Sequence, residues 1–259
     1  MSPVPPLFRA LRSGIFFALL SAGVTAGAGT VVPDGTILPA ELNTTLSSKK
    51  MKVGQPITAR IMQDVPLPGD AKIPAGATLV GQVTALQQPS GSGGGSISFR
   101  FDTLRLAHEN IRLASHLRAL ASFTEVRHAE APLDSSLPEN AWTTVQIGGD
   151  TVYRGGGLVR NRSGVVGKPV EHGVLGRLDS NPGRGCRRDG TGERAQALWL
   201  FSSDACGVYG LEELSIARSD RDAASPSDEI ALRAAKGDVN VHSGSGLLLR
   251  VDAPGNAGS

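Results

Sequence analysis

Short apolar runs with a two-residue spacing, each stopped by glycine or proline, recur along the chain from Gly35 to Val251. Side chains alternate across a strand, so this spacing predicts half-buried strands rather than helices. Residues 35–43 (GTILPAELN) read as an extended segment, with Pro39 at an edge or a bulge. Ile57, Ala59 and Ile61 alternate with polar neighbours and Val65 resumes the phase, until Pro66, Pro68 and Gly69 end the strand. Residues 73–76 (IPAG) form a turn, and 78–86 leave it as a strand in which Gly81 permits a bend or close packing. Residues 91–96 (GSGGGS) read as a flexible connection. Ile97, Phe99 and Phe101 then share one face, but Leu104 and Leu106 fall on the other parity, and a bulge near Asp102 and Thr103 would restore the phase.

Later in the chain the pattern is less decisive. After a turn at His108, Glu109 and Asn110, a strand returns through Ile111, Leu113, Ser115 and Leu117, although 113–126 also fits a short helix. From Pro132 to Gly192 apolar clusters are sparse; Thr143, Val145 and Ile147, then 151–153, are short strands around Gly148 and Gly149. Residues 179–194 read as a surface loop and 197–201 (ALWLF) as a buried strand. Short strands follow at 214–216, 229–232 and 239–241, and 246–251 closes the fold. The fold class is therefore all-β: a modified β-barrel or β-sandwich of short antiparallel strands with a glycine-rich, disulfide-restrained insertion. The 33 glycines agree with many turns.

The amino terminus places this domain outside the cytosol. Arg9 and Arg12 precede an apolar run at 14–24 (GIFFALLSAGV), and small residues follow, so cleavage after Ala26 or Ala28 is expected. The domain boundaries expected are a signal peptide over 1–28, one β-rich domain over 29–251 with a sub-boundary near 120–138, and a disordered tail over 252–259. The chain is expected in the periplasm or secreted. In that oxidising setting its two cysteines, Cys186 and Cys206, are expected to pair; a loop of that size is worth about 3 kcal/mol. Loss of Arg9 and Arg12 leaves 24 basic residues against 24 acidic ones, which argues against a nucleic-acid partner. Lys49, Lys50 and Lys52 are read as a solvated loop.

No catalytic, cofactor or metal set emerges. The glycines at 93–95 lack the ending of a phosphate cradle, and in 164–168 (GVVGK) the next residue is Pro169 rather than a hydroxyl. Ser47 and Lys50 fit a bare S-x-x-K pattern without its companion motifs. His108, His116, His128, His172 and His242 are scattered. Asp102, Glu125, Asp134 and Asp150 could pair only through the fold. Trp199 and Phe201, like Trp142 and Tyr153, could line a groove, with a core role favoured for the ALWLF pair.

Three segments carry a resemblance: 34–42 (DGTILPAEL), 54–60 (GQPITAR) and 73–83 (IPAGATLVGQV). They are similar to the periplasmic domain of TrbI-like proteins of conjugation and type IV secretion machines. The hairpin over 99–117 and the strand over 244–251 fit the same order. The resemblance covers about a third to two-fifths of the mature chain and implies a modified β-barrel that works by assembly. That family's transmembrane helix and proline-rich linker are not expected here, and the region from Leu133 to Gly210 is expected to stand where it has a helical insertion. The expectation is a non-catalytic envelope structural or interaction module, joining envelope proteins or itself and reaching membranes only through partners. A secreted binder of cell-wall glycan or peptide, and then a hydrolase, are the other readings.

Overall fold

The computed structural model describes residues 31–130, 142–153, 157–182, 194–217 and 229–252. The expected signal peptide, nearly all of the expected tail, and Cys186 and Asp134 lie outside the described residues. The protein is mainly β, as expected, and among the described residues its ladders are antiparallel except for one parallel pairing, of residues 207–209 with 119–121.

The chain opens with β1 (Ile37–Leu42), a two-residue β2 (Leu46–Ser47) and β3 (Pro56–Ile61). The small hairpin of β4 (Val65–Pro66) and β5 (Lys72–Ile73) precedes the two long strands β6 (Thr78–Gln87) and β7 (Ser96–Arg105). Then come β8 (Asn110–Arg112), β9 (Ala114–Ala121) and the helix α1 (Phe123–Glu130). An insertion carries β10 (Trp142–Val145), β11 (Thr151–Tyr153), β12 (Leu158–Asn161), β13 (Gly164–Val170), β14 (Gly173–Gly176) and β15 (Gln196–Ala197). The chain returns through β16 (Gly207–Tyr209), β17 (Leu214–Ala217), β18 (Ile230–Ala234), β19 (Asn240–Val241) and β20 (Gly246–Asp252).

Ten strands form one sheet in the order β16-β9-β20-β1-β3-β6-β7-β18-β17, with β8 also on β7. The inward side chains of β1, β3, β6, β7, β9, β18 and β20 meet in one core, so the sheet curls around it. Phe99 and Phe101 are fully buried there, edge to face at 5.8 Å, and each side chain of this size contributes roughly 1.5–3 kcal/mol on burial. The ladder ends at β16 on one side and at β17 on the other, so the closed barrel among the expectations does not form among the described residues. β8 runs into β9 through Leu113, whose N–H still donates to Asp102 on β7, so one bent strand links the two sides of the curl.

The predicted bulge lies at Asp102. Val80 pairs with Thr103 and Gly81 with Phe101, leaving Asp102 as the extra residue. Gly81 is required there, because a Cβ would stand 1.8 Å from the Arg100 carbonyl oxygen. The segment 91–96 is not a loose connection. Gly95 N–H donates to Gly237 C=O, Ala234 N–H donates to Gly95 C=O, and a Cβ on Gly94 would strike the Ala234 carbonyl. The ambiguous stretch 113–126 divides: it is strand to Ala121 and helix from Phe123.

The insertion is a six-stranded antiparallel meander from β10 to β15 rather than a loose glycine-rich region. It packs Val159, Val174, Leu198, Trp199 and Phe201 against Ile37, Ala119, Ala121 and Leu248, which point out of the large sheet. β1, β9 and β20 are thereby buried on both faces, whereas β3, β6 and β7 keep one face open. Of the expected strand at 197–201 only Ala197 lies in a strand, β15; Trp199 turns the chain at a φ of 50°.

Buried glutamines join the two layers. Gln63 Nε2 donates to Val174 C=O at 2.9 Å, while its Oε1 accepts from Trp199 N–H at 2.7 Å and Val174 N–H at 3.2 Å. Gln196 Oε1 likewise accepts from Ile37 N–H, while within the insertion Gln146 Nε2 donates to Trp199 C=O. Arg118, also buried, donates to the carbonyls of Ala205 and Asp179.

Candidate functional site

Strand register assembles an open face on the uncovered half of the large sheet. Because cross-strand partners share a face, Glu41, Arg60, Thr78, Arg105 and Asn110 form one row across β1, β3, β6, β7 and β8. Thr58, Val80, Thr103 and Arg112 form the next, and Gln82 opposite Arg100 continues the lattice. Their inward neighbours Ile57, Ala59, Leu79, Phe99, Phe101 and Leu104 are buried, which fixes the outward direction of this set.

The face is polar and leans positive. Arg60 meets Glu41 at 3.4 Å and Arg100 lies 3.7 Å from Asp102. Arg105 and Arg112 are exposed and have no ion pair among the described residues. Adjacent strands stand about 4.8 Å apart, so these two guanidinium stems, diagonal on β7 and β8, can engage one partner group together. Threonine hydroxyls surround them, and Val80 is the large apolar side chain in the two rows. Such a surface can dock another macromolecule through hydrogen bonds and charge. It contains no nucleophile paired with a base.

The other sequence candidates are used in holding the fold. Ser47 Oγ donates to Asp238 Oδ2 at 2.9 Å, Ser48 Oγ donates to the same carboxylate, and Lys49 N–H donates to Asp238 Oδ1 at 3.0 Å. The hydroxyl of Ser47 is thus spent on a carboxylate, and Lys50 is exposed. Asp150 is buried and accepts from Ser203 N–H at 2.6 Å. Burial pushes its carboxyl above the usual range, the Ser203 hydrogen bonds oppose that rise, and the nearby Asp204 charge adds to it. His116 Nδ1 stands 2.8 Å from Asp252 Oδ1, with Arg250 3.8 Å from the same oxygen. His108, His128, His172 and His242 are exposed and dispersed. Among the described residues no three His, Cys, Asp or Glu side chains gather as metal ligands, and no helix is long and apolar enough to cross a membrane.

Trp199 and Phe201 are core residues, 4% and 0% exposed, with rings 6.4 Å apart. The side chains of Trp142 and Tyr153 lie outside the described residues. Of the expected disulfide, Cys206 is buried beside β16 and its N–H donates to Tyr209 Oη at 3.0 Å; Cys186 lies outside the described residues. Sequence reasoning missed Gln63, Gln146, Gln196 and Arg118. For Gln63 a signal existed, since it shares the inward parity of Ile57, Ala59, Ile61 and Val65. No protein-family model and no curated protein matches the sequence.

Proposed function

We propose that this chain is an exported, non-catalytic interaction module of the cell envelope. It works by presenting the open face of β3, β6, β7 and β8 to a partner protein. One observation carries the reading: the insertion covers the outer face of β1, β9 and β20 and leaves the neighbouring arginine–threonine lattice uncovered. A sheet covered on one half and ordered but bare on the other is suited to docking by charge and hydrogen bonding. The resemblance of 34–42, 54–60 and 73–83 to TrbI-like proteins supports a scaffold that serves in assemblies, and the apolar run at 14–24 supports export.

The test is site-specific photo-crosslinking in intact cells. Probes at Thr78, Thr103 and Arg112 should each yield the same discrete adduct, whereas a probe at Glu171 on the insertion should not. Equal labelling at all four sites, or none at the lattice, would sink the proposal. Export is checked separately by sequencing the amino terminus of the mature protein, expected at Gly27 or Gly29.

A further inference from the structure

One end of the large sheet gathers several connections. Residues 43–55 lead there from β1 to β3, residues 210–213 join β16 to β17, residues 235–245 separate β18 from β20, and α1 begins there after β9. The charges at this end are sorted. On the β3 side Lys49, Lys50 and Lys52, half of the six lysines in the chain, are exposed on one loop without an ion pair among the described residues. On the β16 side Glu212 and Glu213 are exposed and likewise have no ion pair among the described residues, and Glu125 packs against Gly210 beside them.

Both sides are built on a fixed backbone. Met51 is buried in the core, Gly54 N–H donates to Val83 C=O at 2.8 Å, and Lys52 N–H donates to Gln55 Oε1 at 3.1 Å. Across the mouth, Leu214 N–H donates to Leu211 C=O and Ala235 N–H to Glu213 C=O. β20 and β1 separate β9 from β3, which sets the two sides roughly 14–19 Å apart around the sheet. Lys236 follows Ala235 beside Glu213 and leaves the acidic side with a net negative charge from Glu212, Glu213 and Glu125; Asp238 is turned inward onto Ser47 and Ser48, and Arg127 and Glu130 pair with each other at 3.0 Å. Each side also carries an exposed apolar side chain, Val53 at 63% and Phe123 at 41%.

A face whose positive half lies opposite its negative half is complementary to itself under a two-fold rotation. We propose that this end binds a second copy of the chain as a two-fold dimer. Lys49, Lys50 and Lys52 of each copy face Glu212, Glu213 and Glu125 of the other, and Val53 meets Phe123 across the axis. An anionic membrane or a nucleic acid would meet Glu212 and Glu213 as like charges, so the sorted pattern favours the second copy. This interface is separate from the arginine–threonine lattice and stands or falls independently of it.

The experiment is sedimentation velocity on the mature chain, with folding of each variant checked by circular dichroism. The wild type should dimerise at low ionic strength and dissociate as salt rises, since the screening length falls from about 30 Å at 0.01 M to about 8 Å at 0.15 M. K49E/K50E/K52E and E212K/E213K should each weaken self-association about tenfold or more. An equal mixture of the two should recover it, because each reversed half then meets an opposite charge. Where a reversed variant does not fold, glutamine at the same positions replaces it and should also weaken the dimer. A wild type that stays monomeric at low ionic strength, variants that dimerise like the wild type, or a mixture that fails to recover would each overturn the proposal.

Discussion

Replacing Gln63 with leucine tests how the two layers are held together. The substitution keeps the side chain's approximate volume and removes its amide. Two buried N–H groups, on Val174 and Trp199, then lose the Oε1 that accepts from them. Val174 C=O loses the Nε2 donor but keeps Leu198 N–H at 2.9 Å, so it counts for less. At about 1–3 kcal/mol for each buried group left unpaired, the two N–H groups alone make Gln63→Leu about 2–6 kcal/mol less stable. That is a large share of the roughly 5–15 kcal/mol typical of a domain. Gln63→Glu keeps both acceptor bonds but cannot donate to Val174 C=O and buries a charge, so it should also destabilise. Urea unfolding followed by circular dichroism measures the loss, and tryptophan fluorescence reports whether the turn at Trp199 loosens first. A Gln63→Leu protein within about 1 kcal/mol of wild type would refute the reasoning. It would mean that water or a relaxed backbone satisfies those groups.

Other substitutions probe other parts of the fold. Gly81→Ala places a methyl 1.8 Å from the Arg100 carbonyl oxygen, so it should displace the β6–β7 ladder and lower the melting temperature well beyond an exposed control on the same strand such as Gln87→Ala. Asp150 has its folded-state pKa raised above 3.8 by burial; its stabilising contribution is therefore fully present below that value and is lost as pH rises through the folded-state pKa. Asp150→Asn keeps an acceptor for Ser203 N–H and removes this dependence. Its stability relative to wild type should improve with rising pH in urea titrations, and a parallel pair of curves would contradict that. If Cys186 and Cys206 pair, intact mass spectrometry should show a gain of two hydrogens on reduction, and the reduced protein should unfold at lower urea.

The sequence was readable where one face of a strand is buried and the other wet. Alternation at Ile57, Ala59 and Ile61, and at Ile97, Phe99 and Phe101, gave β3 and β7 directly, and the parity change at Leu104 gave the bulge at Asp102. It was harder where both faces are covered. In β1, β9 and β20 inward and outward positions are both apolar, as in Leu247, Leu248 and Leu249, so the pattern marks burial but not which layer each side chain enters. β12 to β14 escaped notice because glycine stands where apolar residues would signal a strand. Gly167 faces Gly176 in the ladder, and a Cβ on Gly167 would lie 2.4 Å from the Leu175 carbonyl oxygen. The open face was hidden for another reason: its members come from four separate strands, and only register makes Arg60, Thr78, Arg105 and Asn110 neighbours.

The insertion leaves and rejoins the large sheet at almost one point. Ser122, where it departs, donates its N–H to the C=O of Tyr209, the last residue of the returning strand β16, at 2.9 Å. Geometrically, a short bridge could replace everything between them, the edge strand β16 included, without stretching the remaining strands. Chemically the graft would fail on its own, because removal strips the cover from Ile37, Ala119, Ala121 and Leu248. Any lineage or design that drops the insertion must therefore turn those outward residues polar, and their identity tells whether a related chain ever carried it.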